Sequence, residues 1–264
     1  MGRGPQRLVM LRAAAFYIGY TLATIVWGSL GTVFGWLLPY RARFRVIIGC
    51  WTGFCLWWLK VTCGIRHRVE GMEHVPEEPC VVLCRHESTW ETLFLQQLFQ
   101  PQATLIKREL LHIPFFGWAF RTLRPIAIDR RQQRKALRTL IHEGKARLDN
   151  GIWVVLFPEG TRMPAGQTGR FQPGGAALAA ASGAPVLVVA HNAGSFWPAH
   201  AFRKRAGEVR VLIGEPVLTA GRSSKEIQAE CTTVFESLMA RLPRPEQIKA
   251  DPGPADLKGF KRPD

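Results

Sequence analysis

The sequence lacks a CxxC pair and has few acidic residues. Its six cysteines, at positions 50, 55, 63, 80, 84 and 231, lie mostly within apolar stretches. Cysteines of this kind behave as small buried hydrophobic residues in a reducing compartment, so we expect no metal site, no disulfide framework and no cofactor. The chain has 20 Asp and Glu against 35 Lys and Arg, which gives a formal net charge of +15. So basic a chain favours an anionic partner: a membrane surface, a nucleic acid or a phosphorylated substrate.

Charge is also absent from a long segment near the N-terminus, Ala13 to Tyr40. As a helix this segment would extend about 40 Å, more than the roughly 30 Å hydrocarbon core of a bilayer. A second apolar segment, Val46 to Leu59, is shorter and contains three tryptophans, which suits an interfacial or re-entrant helix. Two arrangements therefore stay open: one spanning helix with one interfacial helix, or a helical hairpin lying in a single leaflet. Both favour a membrane lipid surface over nucleic acid as the anionic partner.

The rest of the chain alternates short apolar runs with amphipathic segments. The predicted strands are Gly64–Glu70, Cys80–Cys84, Ala103–Ile106, Pro125–Ile128, Trp153–Phe157, Pro185–Ala190 and Val209–Ile213. Predicted helices include Gln132–Asn150, Gly174–Ser182 and a segment ending near Leu242. This alternation predicts an α/β fold with a mostly parallel sheet and crossover helices. We divide the chain into a membrane-associated helical segment (1–62), an α/β domain (63–242) and a Pro- and charge-rich tail (243–264) that we expect to be disordered.

A histidine followed five positions later by a carboxylate lies just after the strand Cys80–Cys84. Residues five apart on a helix are about 140° apart around its axis, so His86 and Glu91 would not face each other if both were mid-helix. Ser88 to Glu91 fits a capping box, with Ser88 as N-cap and Glu91 at the third helical position. His86 would then lie in the strand-to-helix turn, where Glu91 can hold one ring nitrogen while the other meets a substrate. The alternative is that Glu91 only caps the helix and His86 is a turn histidine.

Other polar residues also follow predicted strands. Lys107 and Arg130 come directly after two of them, and Glu159-Gly160-Thr161-Arg162 follows the apolar run Trp153–Phe157. Because the carboxyl ends of parallel strands share one edge of a sheet, we expect these groups to gather near His86. Arg162 and Lys107 are suited to bind a phosphate, and Gly160 lets the backbone approach closely, although either cation alone is more often a surface residue.

These motifs resemble those of the 1-acyl-glycerol-3-phosphate acyltransferases, the PlsC-like lysophospholipid acyltransferases. Their motif of a histidine, four residues and an acid is similar to His86 through Glu91, and a second is matched without a gap by Phe157–Arg162. A further motif corresponds to Lys107 through Arg130. Two features depart from the pattern. The acid is Glu91 where Asp is commoner, and the apolar block at 184–190 lacks the second proline often found there.

The resemblance implies a glycerolphosphate acyltransferase-like fold in a cell-membrane enzyme (inner membrane in a Gram-negative cell) whose site faces the cytoplasm. It implies transfer of a fatty acyl group from acyl-CoA or acyl-carrier protein to the 2-hydroxyl of lysophosphatidic acid, giving phosphatidic acid. His86 would be the general base, Glu91 would fix its tautomer, and Arg162, Lys107 and Arg130 would hold the acceptor's phosphate. Glu159 would position the loop or bind a glycerol hydroxyl.

Direct transfer is favoured because the sequence has no Gly-x-Ser-x-Gly nucleophile elbow. Two alternatives remain. The acceptor could be another lysophospholipid or a lyso-ornithine lipid, or the chain could be a non-enzymatic basic module bound to membranes.

Overall fold

A computed structural model describes residues 3–129 and 131–248 and contains a seven-stranded sheet in the order β1-β7-β6-β2-β5-β3-β4. The strands are β1 (Ile65–Glu70), β2 (Val81–Cys84), β3 (Gln102–Lys107), β4 (Ile126–Ile128), β5 (Trp153–Leu156), β6 (Val186–His191) and β7 (Gly207–Ile213). All neighbouring strands pair in parallel except β6 and β7, which are antiparallel. The predicted α/β class with a mostly parallel sheet is therefore confirmed.

Successive side chains of the central strands enter two different cores, one on each face of the sheet. Val82 and Val155 join the core beneath the N-terminal helices, whereas Val81 and Val154 join the core on the opposite face. Since β2, β5 and β6 are buried along their whole length, both faces demand apolar side chains. This explains why these strands are continuous apolar runs in the sequence.

Seven helices cover the two faces within the described residues. They are α1 (Arg3–Phe34), α2 (Tyr40–Cys63), α3 (Trp90–Leu98), α4 (Phe116–Arg121), α5 (Gln133–Asp149), α6 (Gly174–Ser182) and α7 (Ser224–Arg241). The helices α1 to α4 pack on one face and α5 to α7 on the other. The predicted helices at 132–150 and 174–182 agree with α5 and α6 to within a residue at each end.

The first two helices form an antiparallel hairpin. Trp58 Nε1 donates to the carbonyl of Ala15 at 3.0 Å, and Trp51 Nε1 donates to Thr24 Oγ1 at 3.1 Å. The predicted second segment, Val46–Leu59, was too short, because the helix extends over Tyr40–Cys63. Its first turns include arginines that composition alone placed outside it. One of these, Arg43, donates to the carbonyls of Leu38 and Thr122.

Helix α1 contacts the α/β domain at two separated points. Near its middle, Phe16 packs edge-on against Trp197, with ring centroids 5.2 Å apart. Further along, Gly28 is packed so closely against Phe115 that a Cβ at Gly28 would lie 2.8 Å from it. Trp197 follows β6 and Phe115 follows β3, so both contacts lie beyond carboxyl ends of parallel strands. Helix α1 therefore runs along the edge of the sheet where the sequence predicted a site.

Both N-terminal helices are long and apolar enough to cross a membrane by length and composition, which is weak evidence on its own. In the predicted tail, a short 3₁₀ helix over Pro245–Gln247 is followed by Ile248, whose carbonyl accepts from Arg205 Nη2 at 3.0 Å. The remainder of the predicted disorder, residues 249–264, lies outside the described residues.

Candidate active site

His86 lies two residues beyond β2, in the turn before α3. Its imidazole stacks on the Phe157 ring, with centroids 4.1 Å apart and planes 20° from parallel. Glu91 Oε1 lies 2.8 Å from His86 Nδ1, and the His86 side chain keeps 16% of its surface exposed. With Nδ1 donating to the carboxylate, the lone pair of Nε2 is free to accept a proton. The pair has the geometry of an oriented general base.

The Glu91 side chain is fully buried, and one of its oxygens accepts hydrogen bonds both from His86 and from the backbone of the turn. Besides the imidazole, Oε1 accepts from the backbone N–H groups of Glu87 at 3.0 Å and Ser88 at 2.8 Å. The two predicted alternatives, capping and orientation of His86, therefore occur together. A carboxylate held by several donors is fixed in position, and it fixes the ring in turn.

The helix start differs from the prediction. The N-cap is Thr89, not Ser88, and Glu91 is the second residue of the helix that begins at Trp90. Half of the predicted capping box is present, since Glu91 accepts from Ser88 N–H. The other half is replaced: Ser88 Oγ accepts from Trp90 N–H at 3.1 Å. The helix therefore begins one residue further along the chain than predicted.

The loop after β5 holds the backbone of His86 from both sides. Glu159 Oε2 accepts from His86 N–H at 2.8 Å, and Met163 N–H donates to the His86 carbonyl at 2.7 Å. Arg162 Nε donates to the Ser88 carbonyl at 3.0 Å. Because β5 pairs directly with β2, the two loops are adjacent. The structure thus brings together His86, Glu91, Glu159 and Arg162.

Three other predicted site residues lie within the described part of the chain, namely Lys107, Gly160 and Thr161. Gly160, at φ 70°, and exposed Thr161 belong to the same loop as Glu159. Lys107 is exposed at the end of β3, which is separated from β2 by β5. Arg130 lies outside the described residues. No described group accepts a hydrogen bond from the Nη atoms of Arg162, which leaves that end of the guanidinium available to an anion.

A buried polar network behind the turn was missed at the sequence level. Arg85 Nε donates to Glu87 Oε2 at 2.8 Å, and Arg85 Nη2 donates to the Gln167 carbonyl. Glu87 Oε1 accepts from Gly194 N–H at 2.9 Å and lies 3.4 Å from His191 Nδ1. A signal was present, since His191 directly follows the apolar block at 184–190, as His86 follows its own strand. The network braces the turn from the side facing β6.

Burial and hydrogen bonding shift the two acids that flank His86 in opposite directions. Burial raises the pKa of Glu159 above its usual value, although His86 N–H, Arg85 and Gly169 N–H act against this. For Glu87, burial also raises the pKa, but His191, Arg85 and Gly194 N–H outweigh it, so the net pKa is lowered. Glu87 is therefore a structural anion paired with Arg85.

Two side chains beside the base are poorly placed to act as nucleophiles. Ser88 is completely buried, with its Oγ engaged by Trp90 N–H. Cys84 is also fully buried, and burial raises the pKa of its thiol, which keeps the thiolate scarce. Within residues 3–129 and 131–248, no group of three or more His, Cys, Asp or Glu side chains is arranged to hold a metal ion. The arrangement suits proton abstraction from a substrate hydroxyl at the open face of His86.

Comparisons with known proteins identify the family of this chain. The acyltransferase family model matches residues 66–192, a range that includes the turn of His86 and the loop of Glu159. A 1-acyl-sn-glycerol-3-phosphate acyltransferase of Pseudomonas aeruginosa is 43% identical over 93% of this chain and 96% of that protein. A 1-acyl-sn-glycerol-3-phosphate acyltransferase of Cocos nucifera is 24% identical over 91% of this chain and 77% of that protein.

A solved structure shares the fold. The crystal structure of the 1-acyl-sn-glycerophosphate acyltransferase PlsC from Thermotoga maritima aligns with a TM-score of 0.73 at 24% identity, covering 89% of this chain and 97% of that one. Since its Pseudomonas relative is matched almost from end to end, the chain belongs to the acyltransferase family of the 1-acyl-sn-glycerol-3-phosphate acyltransferases.

Proposed function

We propose that this enzyme transfers a fatty acyl group from a thioester donor, acyl-CoA or acyl-carrier protein, to the 2-hydroxyl of lysophosphatidic acid. The observation that carries the proposal is the 2.8 Å contact between Glu91 Oε1 and His86 Nδ1, with the imidazole partly exposed at the carboxyl edge of the sheet. The names of the relatives supply the acceptor.

The chemistry needs one proton acceptor that later becomes a donor. His86 Nε2 takes the proton of the 2-hydroxyl while its oxygen bonds to the thioester carbonyl carbon. The resulting tetrahedral intermediate then breaks its C–S bond, and the thiolate recovers the proton from His86. General-base help of this kind contributes about 10² to 10⁴ in rate. No acyl-enzyme is required, in keeping with the burial of Ser88 and Cys84.

The acceptor's phosphate is assigned to Arg162 alone, because Lys107 ends β3, which β5 separates from β2. The Nε of Arg162 is used by the Ser88 carbonyl, so the phosphate would meet the terminal nitrogens. In lysophosphatidic acid the phosphorus lies about 5 Å from the 2-hydroxyl oxygen along four bonds. A phosphate bound by Arg162 is compatible with this span, because Arg162 contacts the same turn that carries His86.

The test is a comparison of His86→Ala with His142→Ala, a control whose side chain is 83% exposed on α5. We expect the first to lose acyl transfer by at least 10² while keeping its fold and membrane association, and the second to behave as wild type. Activity would be followed with purified protein, a lysolipid panel and both donors. Turnover by His86→Ala near the wild-type rate would refute the role of His86, and a preferred acceptor other than lysophosphatidic acid would refute the substrate.

We also infer that the hairpin lies in a single leaflet of the cell membrane, with the α/β domain on the cytoplasmic side. Helix α1 is tied to the domain at both Phe16 and Gly28, which is difficult for a helix that crosses the bilayer. Its outer side exposes apolar side chains, among them Leu11, Ile18 and Leu22, which are 58–67% exposed. So large an apolar surface marks a membrane or protein contact.

Replacing Leu11, Ile18 and Leu22 together by Asn is expected to release the protein from anionic vesicles in a flotation assay. The folded domain should retain activity on a short-chain, water-soluble lysophosphatidic acid. Persistent flotation of the triple variant would contradict this attachment.

A further inference from the structure

A shallow polar cleft lies at the end of β4, on the same edge of the sheet as His86. Arg108, Asp129, Gln132 and Lys135 contribute its polar lining. The backbone of Ala127 and Ile128 forms the strand end beneath it. Nothing in the proposed binding of the acceptor uses this cleft.

The cleft is suited to an anion. Arg108 and Lys135 are exposed, and no acidic side chain of the described ranges lies within salt-bridge distance of either. Asp129 is the acidic residue of the lining, and each of its oxygens accepts one hydrogen bond. Oδ1 accepts from Arg131 N–H at 2.9 Å, and Oδ2 accepts from Gln132 Nε2 at 3.3 Å. Two cations without acidic partners outweigh this single carboxylate, so the cleft keeps a net positive charge.

The position of the cleft decides which substrate could reach it. Consecutive neighbours in the sheet are β2, β5, β3 and β4, so three strand spacings separate the ends of β2 and β4. At about 4.8 Å each, this is roughly 14 Å. The acceptor's phosphate, only about 5 Å from its reacting oxygen, cannot lie in the cleft while the hydroxyl lies at His86.

The donor has the matching length. In both CoA and acyl-carrier protein, the thioester sulfur is joined to a phosphate by a pantetheine arm of about a dozen bonds. Extended, such an arm spans roughly 15 Å. With the thioester carbonyl at His86, its phosphate would come to the end of β4.

We propose that the cleft binds the phosphate of the donor's phosphopantetheine arm, with Arg108 and Lys135 as its ligands. This inference rests on the proposed acyl transfer and adds a separate donor subsite to it. The acceptor's phosphate is held at Arg162 and the donor's phosphate about three strands away. The two substrates therefore approach His86 along different paths.

The experiment measures KM for three donors with one acyl chain: acyl-CoA, acyl-carrier protein and acyl-pantetheine, which lacks the phosphate. The variants are Arg108→Gln, Lys135→Gln and their double, with Lys145→Gln, an exposed residue of the same helix, as the control. We expect each cleft variant to raise KM for a phosphorylated donor by about tenfold. KM for acyl-pantetheine and for lysophosphatidic acid should change less than twofold, and the control should match wild type.

Each donor in the experiment tests one possible origin of the bound phosphate. A raised KM for acyl-CoA, for acyl-carrier protein or for both supports the subsite and shows which carrier it accepts. An equal rise for acyl-pantetheine, a rise confined to lysophosphatidic acid, or no change in the double variant overturns it. If the wild-type protein turns over none of the three donors, the proposed acyl transfer itself is overturned. That result is distinct from the failure of the donor subsite alone.

Discussion

Shortening Glu91 by one methylene, in Glu91→Asp, tests how this chain uses a glutamate where related enzymes commonly have an aspartate. The carboxylate would retreat by about 1.5 Å, the length of one C–C bond. Its contact with His86 Nδ1 would lengthen from 2.8 Å to about 4 Å, beyond hydrogen-bonding distance. The two backbone donors at Glu87 and Ser88 would lose the same oxygen.

The magnitudes follow from the lost contacts. A hydrogen bond to a charged acceptor contributes about 1.5–3 kcal/mol, and three are weakened together. Partial relaxation of the turn would recover some of this, so we expect the free energy of unfolding to fall by about 2–4 kcal/mol. In the serine-protease triad, replacing the orienting acid by its amide lowers kcat about 10⁴-fold. Because Glu91→Asp keeps a charge nearby, a loss of about 10² in kcat is expected, equivalent to about 2.7 kcal/mol.

Steady-state kinetics with lysophosphatidic acid and a saturating donor, together with urea denaturation, would measure both effects. Glu91→Gln is the matched control, because it preserves length while removing charge. It should unfold closer to wild type than Glu91→Asp does. A Glu91→Asp enzyme with both kcat within threefold of wild type and unchanged stability would refute the reasoning.

Three further substitutions address the surroundings of the base. Glu87→Gln leaves the buried Arg85 without its counter-ion and should lower the free energy of unfolding, measured in urea, by about 3–5 kcal/mol. Replacing both residues by Met should lower it far less, and equal losses would contradict a stabilising ion pair. Glu159→Gln should become more stable relative to wild type as pH rises. The raised pKa of Glu159 means that its protonated form stabilises the native state below its usual pKa, and this contribution is lost as pH rises through the native pKa; a difference independent of pH would rule this out. Arg162→Ala should raise KM for lysophosphatidic acid at least tenfold and Arg162→Lys by less, whereas equal effects on donor and acceptor would count against a phosphate there.

Local patterns in the sequence predicted most of the strands and the edge of the sheet at which the site residues gather. Apolar runs such as Val81–Cys84 and Trp153–Leu156 are buried on both faces, so their composition alone identifies them. The rule that parallel strands share a carboxyl edge then placed Glu159 beside His86. The contact between Glu159 Oε2 and the His86 backbone follows from that adjacency, because β2 and β5 are neighbours.

Features that depend on distant contacts were not predictable in the same way. The N-cap is Thr89 and not Ser88, in a turn where Glu91 Oε1 accepts hydrogen bonds from His86 Nδ1 and from two backbone N–H groups. Local helix propensity does not encode this arrangement. Glu87 is held by Gly194 N–H, more than a hundred residues further along the chain. The residues next to Glu87 in the sequence do not show whether its carboxylate is buried or exposed. Its role becomes visible only when β6 is known to lie beside β2.

Under the proposed function, the sheet order would also let His86 serve two substrates of opposite solubility. His86 follows β2, the fourth of seven strands, so it lies near the middle of the carboxyl edge. Helix α1 runs along that edge and turns apolar side chains outward, which would bring a membrane surface, and with it the lipid acceptor, beside the base. The polar cleft at β4 lies at one end of the same edge, within reach of a long water-soluble donor arm. An attachment helix elsewhere on the domain would force the acceptor to leave the bilayer before it reached His86.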